Sequence, residues 1–223
     1  MDTQKIEKWE KWIGLIFNEV SHLRSSNYLY NETRKMVSAN PEINKGNVFY
    51  EWLTKNYITN MLMGIRRQLD SGKNTCSLVN LLQDFKKNCN LLNRAQHLSN
   101  YQQGWERKAN QNFDDLAGKN IDVFPVEEIE KDIEKLESIK KKHLKYIDNR
   151  IAHYDKRGNV QALGTFKDLE EAILVFDRIL NRYSLLVLAR KLETRTSLSS
   201  EWKDIFLHPW IINEDICEGN KAI

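Results

Sequence analysis

One histidine, His153, stands in a stretch of the chain whose residue types could act on a phosphate ester. If a helix continues through this stretch, Asn149 and Arg150 precede His153 by four and three positions, and Arg157 follows it by four, so all share one face. A histidine near its ordinary pKa of about 6.5 can accept and donate a proton near neutral pH. An arginine can bind two phosphate oxygens and offset the charge that develops in the transition state. These residue types are therefore sufficient for a site that cleaves RNA without a metal ion.

In that interpretation each residue of the block has a role. His153 is the general acid and base, Arg150 binds the phosphate, and Asp148 or Asn149 orients them. Further contacts with RNA or phosphate are expected from flanking residues of the block and from a basic pair in an earlier helix: Tyr154, Lys156, Arg157, Arg66 and Arg67. The basic pair is the best source of additional positive charge for a composite pocket.

A structural role accounts for the same residues. The block then ends a long helix, and its basic side chains satisfy the last carbonyl groups and the helix dipole. Arg67 and Asp70 are three residues apart and can pair with each other instead of lining a site. Judged on residue types alone, this interpretation is favoured over the catalytic one.

Other catalytic or metal-binding patterns are absent from the sequence. There is no glycine-rich phosphate loop, and neither GxSxG, HExxH nor CxxC occurs. The adjacent carboxylates Asp114 with Asp115 and Glu127 with Glu128 point apart on a helix and are expected to be solvated or first-turn charges. The remaining histidines lack a second ligand at metal-binding spacing and are expected to be structural or exposed: His22, His97, His143 and His208. The sequence therefore predicts no metal and no other cofactor.

Composition predicts one globular domain over residues 1–223, with 41% hydrophobic and 29% charged residues and a net charge of +3. Three scattered cysteines, Cys76, Cys89 and Cys217, favour reduced thiols over a disulfide framework. The charged N-terminus does not resemble a signal peptide, and no apolar run is long enough to span a membrane. These features predict a soluble cytoplasmic protein without membrane partners.

The periodicity of apolar residues predicts an all-α helical bundle. A first amphipathic helix begins near Ile6 and extends towards Ser38, and a second begins near Phe49 and stops before Gly72. Ser77 is expected to cap the next helical block, and a polar helix is expected to follow around Phe113. A long charged helix from Val126 to about Ile151 and an apolar helix over 166–192 must position the histidine block between them. The irregular tail is expected to pack onto the bundle through its tryptophans.

The block NRIAHYDK, residues 149–156, resembles the His-containing block of HEPN-like proteins of the abortive-infection U type. The segment IRRQLDSGKNTCSLVNLLQDF is similar to a second motif of that family through six residues: Arg67, Asp70, Ser77, Leu78, Leu81 and Leu82. The resemblance is strongest over about 45–190. It implies an all-α bundle that often forms homodimers, with the His-bearing helices facing each other. It also implies RNA as substrate, or RNA or a nucleotide as ligand, and an antitoxin protein as a possible partner.

The chain departs from the catalytic pattern of that superfamily, in which an arginine precedes the histidine as R-x(4–6)-H. The corresponding positions are Tyr146, Ile147 and Asp148, none of them basic. The nearest cations are Arg150 and Lys145. Three interpretations stay open: a ribonuclease in which Arg150 takes the role at altered spacing, a non-catalytic module that binds RNA, nucleotide or protein through the same face, or a purely structural dimerisation domain.

Overall fold

The structure, a computed structural model, describes residues 2–146, 165–194 and 200–210. Within these ranges the protein has seven α-helices and two 3-10 helices, at Cys89–Leu91 and Ser200–Leu207, and its one β-bridge joins Asn93 to Val123. The α-helices are α1 (Asp2–Ala39), α2 (Val48–Gln68), α3 (Leu78–Lys87), α4 (Arg94–Ser99), α5 (Glu106–Ala117), α6 (Val126–Tyr146) and α7 (Phe166–Leu188). The predicted all-α fold class is confirmed. None of the described helices combines the length and the apolar character needed to cross a membrane.

The long helices α1 and α7 form the centre of the bundle. Helix α1 packs against α7 on one side and α2 on the other, α3 packs against α6, and the short pair α4 and α5 packs on α7. The stripe that α1 buries recurs at spacings of three and four: Trp9, Ile13, Ile16, Val20 and Leu23. This regular stripe holds the N-terminal half of the 38-residue helix against the core.

Short polar residues cap the N-termini of four helices. The sequence predicts one of these caps, at Ser77. The Ser77 hydroxyl accepts a hydrogen bond from Asn80 N at 3.1 Å and caps α3. Asn47, Asn93 and Thr165 cap α2, α4 and α7 in the same way. The segment after Ser77, expected as one helical block, is instead divided between α3 and α4, with the 3-10 turn between them.

The end of α2 differs from the prediction that Gly72 lies just past the helix. Helix α2 ends at Gln68, and Leu69 is its C-terminal cap. Asp70 then folds the chain away, because its carboxylate accepts a hydrogen bond from Gly72 N at 2.9 Å and its carbonyl accepts one from the Ser77 hydroxyl at 2.5 Å. This turn, fixed by polar side chains, stops the helix before the glycine.

Asp84 joins the start of α1 to α3. Its carboxylate accepts hydrogen bonds from the indole of buried Trp9 at 2.9 Å and from Lys5 and Lys8 at 3.3 and 3.2 Å. Burial alone would raise the pKa of Asp84, but the hydrogen bonds from Trp9 and Lys8 outweigh it and hold this pKa below its ordinary value. The carboxylate is therefore ionised in the folded protein over the whole neutral range.

The Asp84→Asn substitution is expected to weaken the dependence of stability on acid pH. A carboxyl group whose pKa is depressed by folding stabilises the protein above its unfolded pKa of about 3.9, and the contribution is lost as pH falls through the folded value. Melting temperatures at pH 7 and pH 3 should differ less in the variant, because asparagine still accepts from Trp9 but does not titrate. An unchanged difference between the two pH values would contradict this role.

Candidate functional site

The residues of the histidine block lie outside the described residues. These are Asp148, Asn149, Arg150, His153, Tyr154, Lys156 and Arg157, and the predicted continuation of the long helix to Ile151 lies there as well. The structure therefore leaves their predicted roles untested. What it does give is the geometry of the two chain ends that the block connects, the end of α6 and the start of α7.

Those two ends are tied together by a charged contact. The Lys142 ammonium of α6 donates a hydrogen bond to the Asp168 carboxylate of α7. Asp168 also accepts from the backbone N–H of Thr165 at 2.6 Å and from its hydroxyl at 2.9 Å, and the Thr165 hydroxyl accepts in turn from Asp168 N. Lys142 and Thr165 hold the pKa of Asp168 far below its ordinary value, so the contact persists throughout the physiological pH range.

An aromatic stack joins the start of α7 to α1 and α2. The rings of Tyr30 and Tyr57 lie parallel with centroids 3.9 Å apart, and the Phe166 ring stacks at 5.7 Å from Tyr30. The Tyr57 hydroxyl donates to Asn27 Oδ1 at 2.7 Å, and burial raises the pKa of Tyr57 so that this hydroxyl keeps its proton. The guanidinium of Arg34 lies over the Phe166 ring, 5.6 Å from its centroid. The structure thus places at the first residue of α7 a cation that sequence spacing could not have found, since Arg34 comes from α1.

The histidines within the described ranges have structural or exposed positions, as predicted. His97 is buried, and its Nδ1 donates to the carbonyl of Leu186 at 2.9 Å. His143 is buried near the end of α6, where burial lowers its pKa more than the nearby Asp168 carboxylate raises it, so the ring is neutral at pH 7. His22 and His208 are exposed. None of the four belongs to a cluster of possible metal ligands among the residues described.

The earlier basic pair lies at the C-terminal end of α2. Arg67 pairs with Glu19 of α1, with Nε 2.9 Å from Oε1, and not with Asp70. The expected pair with Asp70 does not form because α2 ends at Gln68, which removes the helical spacing on which it depends. Arg66 and Arg67 are about 15 Å further along α2 than Tyr57, the residue that stacks at the start of α7. A role for them in RNA binding stays a prediction.

Other polar residues singled out in the sequence have structural contacts. Asp114 is half-buried and accepts from Arg94 at 2.6 Å, while Glu127 and Glu128 lie in the first turn of α6, as predicted. Cys76 and Cys89 are half-buried free thiols, and burial raises the pKa of Cys76. Cys217 lies outside the described residues.

A further charged cluster joins α6 to α7 and was not predicted. Its centre is the buried carboxylate of Asp132, which contacts Lys135 on the same helix and Arg182 on α7. The sequence held a partial signal, because Asp132 and Lys135 are three apart on α6 and Arg178 and Arg182 are four apart on α7. Which of these charges meet across the two helices depends on how the helices pack, and the sequence does not state it.

Comparison of the chain with models of known protein families gives a match to the HEPN family model described as AbiU2, over residues 6–205. The match extends beyond the 45–190 region of resemblance and takes in most of α1 and most of the 3-10 helix of the tail. No curated protein and no solved structure matches the chain.

Proposed function

Because the chain belongs to the AbiU2 family of HEPN-type abortive-infection proteins, we propose that it is an endoribonuclease that cleaves RNA without a metal ion. His153 is the general acid and base, Arg150 binds the scissile phosphate, and Asp148 or Asn149 orients them. The flanking Tyr154, Lys156 and Arg157 bind the RNA.

The observation that carries this proposal is the histidine block itself, NRIAHYDK, which falls inside the region matched to the family. Two features of the described structure support it. The chain ends that the block connects are held together by Lys142 and Asp168, which gives a site between them a rigid base. Arg34, over the ring of Phe166, brings positive charge to the same end of the bundle.

A second candidate function is binding without cleavage. It is favoured by the absence of a basic residue at Tyr146, Ile147 and Asp148, where the catalytic pattern of the superfamily has its arginine. In this alternative the same face of Arg150, His153 and Arg157 holds RNA, a nucleotide or a protein partner. Binding through such a face weakens steeply with salt, because it depends on released counterions.

The proposal includes an assembly and a setting. We propose that the protein acts as a homodimer on RNA in the cytoplasm. It is a toxin, and its antitoxin is a separate protein. Sedimentation of the purified protein tests the dimer directly. A single monomeric species at the concentration of the cleavage assay would remove the dimer from the proposal.

The function is tested by expressing the wild-type chain and the His153→Ala variant and comparing growth arrest with cleavage of total cellular RNA. Purified proteins are incubated with RNA in the presence of EDTA, which removes divalent metal ions. Cleavage and growth arrest by the wild type alone support the ribonuclease. Salt-dependent RNA binding by the wild type without cleavage supports the second candidate, and equal, negligible effects of both proteins contradict the enzyme.

A further inference from the structure

A pocket of about 260 Å³ opens between α6 and α7 around the buried cluster of Asp132. The pocket is lined by three cationic side chains, one carboxylate and two apolar side chains: Lys135, Arg178, Arg182, Asp132, Val175 and Ile179. Lys135 and Arg178 are exposed, whereas the Asp132 side chain is only 2% exposed. Positive charge therefore surrounds the opening, and the negative charge lies at the base.

Both oxygens of each carboxylate in this cluster accept from a side chain of the protein. Asp132 Oδ1 accepts from Lys135 Nζ at 2.7 Å, and Oδ2 accepts from Arg182 Nη1 at 3.0 Å and from the Tyr183 hydroxyl at 3.3 Å. Burial raises the pKa of Tyr183, which keeps its proton in place for this bond. The neighbouring Glu128 accepts from Lys131 through Oε1 and from Arg182 through Oε2.

The two arginines, in contrast, have N–H donors that no described residue accepts. Arg182 uses a single nitrogen, Nη1, for both of its carboxylate contacts, and nothing in the described part of the chain accepts from its Nε or Nη2. Arg178 donates through Nε to the carbonyl of Leu174 at 3.2 Å, and no described residue accepts from its two terminal nitrogens. Two guanidinium groups with unused N–H donors therefore line the same pocket, and the ligand that suits such donors best is an anion.

We propose that this pocket, between α6 and α7, binds a phosphate group of single-stranded RNA. This rests on the proposed function for the choice of RNA. Asp132 is a positioning residue that fixes Arg182 and Lys135, and Arg178 supplies the fork that contacts the phosphate. The pocket is smaller than the roughly 300–1,000 Å³ of pockets for drug-sized ligands, which suits a single phosphate group of a longer strand.

The position of the pocket along α6 agrees with an extended strand. Lys135 lies about 16 Å along the helix from Tyr146, beyond which the chain continues into the histidine block. Lys142 lies on α6 between them and pairs with Asp168 of α7. One RNA strand of several nucleotides is long enough to run from the pocket to the end of α6, so the pocket would set where the strand is held.

The test measures binding and not cleavage. A fluorescent single-stranded RNA of about 12 nucleotides, within the range covered by single-strand binding proteins, is titrated with full-length protein carrying His153→Ala, and anisotropy is followed. Adding Arg178→Ala is expected to weaken binding about tenfold at low salt, equivalent to about 1.4 kcal/mol. It should also lower the slope of log affinity against log salt by about 0.7, the value for one phosphate contact on a single strand.

Arg107→Ala is the matched control, because it removes one exposed arginine charge from another helix, α5, that does not line the pocket. Its affinity should equal that of the parent. Equal losses of RNA affinity in the two variants would show a general charge effect and overturn the proposal. Unchanged RNA binding by Arg178→Ala would also overturn it, even if inorganic phosphate competes for the pocket. A protein that binds no RNA at low salt also overturns it. A protein that binds RNA but does not cleave it leaves this proposal intact, so its failure is distinguishable from failure of the ribonuclease proposal.

Discussion

The His153→Ala protein is expected to cleave RNA about 10²–10⁴-fold more slowly than the wild type, the usual contribution of a general acid–base. Alanine can neither accept the proton of the attacking hydroxyl nor return it to the leaving group. In the wild type, cleavage should slow as pH falls below about 6.5, because protonated imidazole cannot act as a base. The residual rate of the variant should lack that dependence. Rates are measured on a defined RNA with EDTA present.

The matched control is His22→Ala, the same substitution at an exposed histidine of α1. It should cleave RNA at the wild-type rate and with the wild-type pH profile. Circular dichroism and the melting temperature of His153→Ala should match the wild type, which separates lost chemistry from lost fold. A His153→Ala protein that cleaves as fast as the wild type would exclude His153 as the general acid–base.

The Arg182→Ala substitution is expected to lower the free energy of unfolding by about 2 kcal/mol, within the usual range for a hydrogen bond to a charged group, because Asp132 is buried but the Arg182 side chain is 33% exposed. It leaves the Asp132 carboxylate, 2% exposed, without its contact at 3.0 Å. The loss is limited because Lys135 still binds the other oxygen at 2.7 Å. Urea unfolding at neutral pH measures this loss. The slope of the free energy of unfolding against urea concentration should be the same in both proteins.

Arg178→Ala is the control for this prediction as well. Arg178 is one turn before Arg182 on α7 and is exposed, and its hydrogen bond to the Leu174 carbonyl stays within its own helix, so its removal should change stability by less than about 0.5 kcal/mol. The double variant Asp132→Asn with Arg182→Ala should recover part of the loss, since a neutral amide costs less to bury than a carboxylate that has lost one of its two cationic partners. An Arg182→Ala protein as stable as the wild type would show that the pair is not structural.

Much of the fold could be predicted from periodicity and capping. The stripe from Trp9 to Leu23 predicts a long first helix, Ser77 predicts the start of α3, and the change at Pro125 predicts the start of α6 at Val126. These succeed because burying one helical face and satisfying the first N–H groups depend on residues close in sequence. The end of α2 was predicted less well, because it depends on hydrogen bonds of Asp70 with Gly72 and Ser77 across a turn.

Contacts of the tail with the bundle were predicted in general terms only. Trp202 is half-buried and meets Tyr28 edge-on at 6.4 Å, which agrees with a tail that packs down. Trp210, however, is 60% exposed, although its ring contacts Phe49. An aromatic residue in an irregular segment indicates burial only on average, since its neighbours come from distant parts of the chain.

The sequence by itself determined the helical class of this protein, the family to which it belongs and the histidine block proposed to cleave RNA. All three depend on residues that are close together in the sequence, so their relative positions are set within one helix or motif. Only the tertiary structure decided that Arg34 lies over Phe166, that Lys142 binds Asp168, and that the charges of Asp132 and Arg182 meet. Each of these contacts joins two helices, and the side chains that meet are set by how those helices pack, which no local pattern specifies.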